Sequence, residues 1–219
     1  MYKFFLYSML ILIYLGLAKA LSPSELGVQY LQNERGFSKL IKAPLATVIL
    51  IDTHATGFLI KTFYQKYRVI SGYDMVEDLI VRTSKEFAKK NLGHIGLSIY
   101  RKSEGKEEFL PLPPGSLYVG NSEFGEWRPN KKGVIKWRFN KSFKNFPRYL
   151  GWGKFRPDEK FVEGIKESVY LNQPYTGPHN EFGPTGRITR ENFPQFFKGE
   201  RMKRVELKNL LFQYLKENF

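Results

Sequence analysis

The densest chemistry in the sequence lies between Phe109 and Phe155. All three tryptophans, Trp127, Trp137 and Trp152, interleave there with Arg128, Lys136, Arg138, Lys144, Arg148 and Lys154. Flat rings stack on the apolar faces of sugars, and cationic side chains beside them bind carboxylates and phosphates. Trp127, Trp137 and Trp152 are therefore candidate stacking platforms, with Arg128, Arg138 and Arg148 as candidate partners for acidic groups. The competing reading is an aromatic core beneath a cationic surface. Interleaved rings and cations also suit single-stranded nucleic acid, but no RNP-type motif accompanies them.

Three further constellations carry acid-base residues. Glu126 adjoins Trp127 in the glycine-bracketed stretch Gly120–Trp127. An apolar neighbour can raise a carboxyl pKa enough for it to protonate a glycosidic oxygen. Most glycosidases need a second carboxylate, and Glu181, Asp158 or Glu123 would supply it. Pro178-His179-Asn180-Glu181 places an imidazole and a carboxylate two residues apart, a base with its orienting partner. Asp52-Thr53-His54 closes an apolar run, with Ser71 or Ser116 as conceivable nucleophiles, although neither lies in a GxSxG motif. Against each stands a plain alternative: a surface glutamate, a loop histidine, and a capping Asp or Thr. Only three histidines occur, none at HExxH spacing, so no metal site is expected.

Elements must bring these groups together. Ser22-Pro23-Ser24-Glu25 reads as a helix start, with Leu26, Tyr30 and Leu31 at helical spacing, and Phe37, Leu40 and Ile41 as a second short helix. Leu45–Ile51 is an apolar run that fits a buried strand or a core helix. Phe58 to Tyr67 has a helix-like face, and 73–90 predicts a helix on Met75, Val76, Leu79, Ile80 and Phe87. Strands are predicted over 94–101, at Phe109-Leu110 and at 117–119, with a proline-rich loop at 111–115. A hairpin follows, Gly125–Arg128 with Val134–Phe139, in which Lys136 and Arg138 alternate with Ile135, Trp137 and Phe139. Pro157-Asp158-Glu159 opens a helix through Val169, 172–184 is loop, and 200–217 predicts a final helix.

Composition sets the frame. The chain has 219 residues with 42% hydrophobic and 16% aromatic content, enough for one folded domain with its own core. Its formal net charge is +14, a field that favours polyanionic partners. Lys3, the apolar run Phe4–Leu17 and the small residues of Ala18-Lys19-Ala20 have the form of a signal peptide cleaved between Ala20 and Leu21. That run is shorter than the roughly 20 apolar residues of a membrane span, which argues against a retained anchor. There is no cysteine, which excludes thiolate catalysis, Cys-based metal sites and lipidation through an N-terminal Cys. An exported chain without disulfides points to a bacterial periplasm.

The expected fold is α+β, with helices flanking a central, mainly antiparallel, strand-rich aromatic section. Residues 1–20 are the expected leader and 21–219 a single exported domain. The leading expectation is a cell-envelope protein, periplasmic or secreted, binding an anionic glycan-containing polymer: peptidoglycan first, lipopolysaccharide next, with the membrane surface a further partner. Export argues against nucleic acid. The alternatives are a carboxylate-dependent glycan-cleaving enzyme, with Glu126 as acid and Glu181 or Asp158 as base or nucleophile, and an envelope scaffold. No cofactor is implied.

Overall fold

The computed structural model describes residues 2–20, 28–56, 61–73 and 75–197. Helix α1 (Tyr2–Ala20) holds the apolar run Phe4–Leu17, and its large side chains are exposed from Tyr2 to Leu15. Among the described residues no helix is long and apolar enough to cross a membrane.

One six-stranded sheet organises the rest. It comprises β1 (Tyr30–Leu31), β2 (Ala46–Thr56), β3 (Thr62–Ser71), β4 (Met75–Thr83), β5 (Ser98–Ser103) and β6 (Lys106–Glu108), in the order β1-β4-β3-β2-β5-β6. All pairings are antiparallel except β1 with β4. The apolar run at 45–51 is thus a strand, and it is buried on both faces. Val48 and Leu50 point to one core with Leu31, Phe37, Tyr67 and Phe87. Ile49 and Ile51 point to the other. Successive side chains on a strand take opposite faces, so a sheet covered on both sides needs apolar residues at every position.

The first core lies under α2 (Phe37–Leu40) and α3 (Lys85–Asn91). Phe37 meets Tyr67 edge-on at 5.0 Å. Ser84 caps α3, its Oγ accepting the Phe87 N–H at 3.0 Å. The second core is aromatic: Tyr118, Phe124, Trp137, Phe146, Trp152, Phe161, Phe182 and Phe193 are buried together. Around it stand the hairpin β7 (Gly125–Pro129) and β8 (Ile135–Phe139), α4 (Phe146–Tyr149), α5 (Glu159–Leu171) and α6 (Arg187–Asn192), whereas α7 (Pro194–Phe197) packs Phe196 against the first core. The architecture is α+β, with helices against a mixed sheet and an aromatic cluster, as the sequence leads one to expect.

Several elements differ from the sequence reading. Residues 62–71 and 75–83 are strands, not helices, and the helix predicted over 73–90 is confined to α3. Tyr30 and Leu31 form β1 rather than a helical face, and Leu117–Val119 lies in turns. The strand returning from β5 precedes Phe109. Helices α6 and α7 have no counterpart in the sequence reading. The helix start at Ser22 and the final helix at 200–217 lie outside the described residues.

Candidate functional site

The hairpin sets one wall of a cleft. Its register pairs Glu126 with Arg138, Trp127 with Trp137 and Arg128 with Lys136. Side chains alternate across a strand, so Glu126, Arg128, Lys136 and Arg138 share the wet face while both tryptophans take the core face. The Trp137 amide donates to the Pro157 carbonyl at 2.8 Å, which lays the segment before α5 along β8. Arg156 and Asp158 therefore come beside Lys136 and Arg138. The opposite wall is the loop 174–186. It closes on itself through Phe182 N–H to Thr176 O at 2.8 Å and Asn180 N–H to Gly177 O at 3.1 Å. Phe182 roots it in the aromatic core, edge-on to Phe155 at 5.3 Å.

The resulting cleft has a volume of about 760 Å³. Lys136, Arg138, Lys144, Lys154 and Arg156 line it, against the carboxylates of Asp158 and Glu181, with His179 at the loop side. Half-buried Phe139 and Phe155 supply its apolar surface. Lys136 Nζ lies 2.7 Å from Asp158 Oδ2. Among the described residues no carboxylate lies within ion-pair distance of Arg138, Lys144, Lys154 or Arg156. Arg156 Nη1 donates to the Gly153 carbonyl at 2.9 Å and to that of Phe155, which orients its guanidinium. Partial burial, and then the like charge of Arg138, lower the Arg156 pKa below its ordinary value. Like charges gathered in excess of their counter-charges are the electrostatic form of a site for an anion.

The carboxylates are held differently. Asp158 is the N-cap of α5: Oδ1 accepts the Phe161 N–H at 3.2 Å while Oδ2 faces Lys136. Burial alone would raise its pKa; the Lys136 hydrogen bond and charge, with the Phe161 amide, outweigh burial and lower it. Asp158 is thus an anion fixed in a structural role. Glu181 Oε2 accepts the His179 backbone N–H at 3.0 Å. It packs where Gly177, at φ +101°, leaves room: a Cβ there would come within 2.2 Å of that oxygen. The backbone conformation calls for glycine at this position, and a side chain there would displace the Glu181 carboxylate.

The structure thus brings together Arg138, Asp158, His179 and Glu181, from three separate segments. Arg128 lies on the same hairpin face, opposite Lys136, and is salt-bridged to Glu126. Glu126 itself is exposed, with no apolar enclosure, because it sits on the wet face and Trp127 on the other. Trp137 is 1% exposed and Trp152 0%, so neither ring has a face for a ligand. The Trp152 indole donates to the Pro114 carbonyl at 2.8 Å, and Trp137 meets half-buried Trp127 edge-on at 5.2 Å. Arg148 lies over Tyr149 and lines a smaller cleft with Arg68 and Asp78.

Of the remaining candidates, Asp52, His54 and Ser71 lie on the sheet and Ser116 in the turns before the hairpin. Asp52 Oδ1 accepts the Thr53 N–H at 2.8 Å, and the His54 ring stacks on Tyr64 at 5.4 Å. Ser71 pairs with Ala46, six residues along β2 from Asp52. At roughly 3.3 Å per residue that is about 20 Å, too far for a triad. Among the described residues no three His, Asp or Glu side chains gather as a metal site would require. Sequence reasoning passed over Arg156, Phe139 and Phe155 as site residues. The period-2 pattern of 134–139 was the available signal, since it puts Lys136 and Arg138 on the wet side and Trp137 inside. Compared with protein-family models, curated proteins and solved structures, the chain matches none.

Proposed function

We propose that this is an exported envelope protein whose cleft binds an anionic, glycan-containing polymer. One observation carries the reading: four cations, Arg138, Lys144, Lys154 and Arg156, converge on one cleft, none within ion-pair distance of a described carboxylate, and outnumber the Glu181 carboxylate that lines it with them. Phe139 and Phe155 line the same space and offer ring surface to the apolar face of a sugar. Glu181, held by a backbone amide, can accept a hydrogen bond from a sugar hydroxyl. Export is supported by the leader-like residues 1–20, and the envelope is where a secreted cationic protein meets such polymers.

The test is co-sedimentation of the full chain with isolated peptidoglycan sacculi and, in parallel, with lipopolysaccharide aggregates. Binding should weaken steeply with salt, since exposed charges are screened within about 10 Å at 0.1 M. The double variant R138A/R156A should bind at least about tenfold more weakly with its fold retained, a loss of roughly 1.4 kcal/mol. Unchanged binding by that variant would remove the cleft from the reading.

A second reading has its own support, because His179 and Glu181 line this same cleft. A glycan-cleaving enzyme would release soluble muropeptides from sacculi, and Glu181→Gln would abolish release while binding persisted. Glu126 has no part in this version, since it is exposed and paired with Arg128.

A further inference from the structure

The cleft's cations are arranged for more negative charge than one carboxylate brings. Lys136 is already matched by Asp158, and Arg138, Arg156, Lys144 and Lys154 face only the one further carboxylate of Glu181, which pairs with none of them. A carboxylate carries one charge and two oxygens, and a single guanidinium fork satisfies it. A phosphate monoester carries about −1.5 to −2 charges at neutral pH and three acceptor oxygens. It can accept from two guanidinium groups at once and offset their mutual repulsion, which here already acts between Arg138 and Arg156. Arg156 is oriented in advance by its bonds to the Gly153 and Phe155 carbonyls, so little side-chain freedom remains to be lost on binding. The smaller cleft beside Arg148 carries a smaller excess, because only Arg68 and Arg148 line it, against Asp78.

We infer that the cleft recognises a phosphoryl group on a sugar, gripped between Arg138 and Arg156, rather than a sugar carboxylate. This rests on the cleft being the ligand site and adds the chemical class of the group it selects. Among envelope polymers it favours phosphorylated glycans such as lipopolysaccharide over glycans whose charge is carboxylate alone.

Glucose 6-phosphate and glucuronate are matched probes, since each carries its anion at C6 of the same ring. Their affinities for the full chain would be measured by titration calorimetry at pH 7.5 and fixed ionic strength. Glucose 6-phosphate should bind at least about tenfold more tightly, and Arg138→Lys should remove most of that margin, because it keeps the charge and loses the planar fork. Arg156→Lys should do the same. Arg138, which engages no described carboxylate, is the safer site should Arg156 variants disturb the 153–156 turn. Lys89→Gln on α3, at the other face of the sheet, removes a positive charge far from the cleft and should leave both affinities unchanged. Equal affinities for the two probes, both reduced in R138K, would overturn the phosphoryl inference and leave the cleft as an anion site. Affinities unmoved by either arginine variant, or no saturable binding of either probe, would overturn it. If R138A/R156A also sedimented with the polymers like the parent, the cleft reading would fall with it.

Discussion

Asp158 divides its two carboxylate oxygens between the Phe161 amide and the Lys136 ammonium, and so joins the start of α5 to β8. Replacing it by alanine removes an N-cap and leaves Lys136 without its partner. We expect Asp158→Ala to cost about 1–2 kcal/mol in urea unfolding at pH 7. The pH dependence has a definite sign. The folded carboxyl titrates below its ordinary 3.8, so its contribution is in full force above that value and is lost as pH falls through the lower, folded pKa. The stability gap between parent and variant should therefore close on acidification below about pH 4 and stay constant between pH 5 and 7. At this scale the sequence exposes residue types but not neighbours. His179, Glu181, Asp158 and Arg138 are recognisable as polar groups in loops or on a wet strand face. Their convergence depends on one backbone bond, Trp137 to Pro157, and on Phe182 anchoring the loop, neither of which leaves a spacing pattern.

Among the elements, the hairpin and α5 are the most legible. The hairpin alternates because one face is wet, and α5 announces itself by its cap and its apolar side. Strands β3 and β4 mislead for opposite reasons. β3 is covered on both faces, so its buried residues do not alternate cleanly, and β4 begins exposed, with Met75 and Val76 imitating a helical stripe. Within the aromatic layer the two buried tryptophans differ in a testable way. Trp152 Nε1 donates to Pro114 O, whereas Trp137 Nε1 has no hydrogen-bond partner among the described residues. Trp152→Phe should thus cost about 1 kcal/mol more than Trp137→Phe in chemical denaturation, the net worth of one buried hydrogen bond. Equal costs would mean that ring volume alone sets both.

For the whole molecule, the sheet is a shared wall. Val48 and Leu50 belong to one core and Ile49 and Ile51 to the other, so neither core can come apart without exposing β2. All three tryptophans belong to, or pack against, the aromatic core, and tryptophan fluorescence therefore reports that side alone. Amide exchange or an engineered probe on α3 reports the other. We expect coincident unfolding midpoints from the two, as for a cooperative unit. Separate transitions would mean that the layers melt independently. The α+β class was legible at this scale because the hairpin of β7 and β8 and the capped helix α5 both show in the sequence, although β3 and β4 read as helices. The two-sided burial of the sheet was not, since it needs the layers themselves.

The loop 174–186 is closed on itself and rooted by Phe182, so the far wall of the cleft stands before any ligand arrives. For the anionic ligand proposed here, encounter would then involve no ordering step on that side, and its rate would follow diffusion in the field of the cleft cations. Competing ligands of equal charge should arrive at similar rates, leaving residence time to rank them.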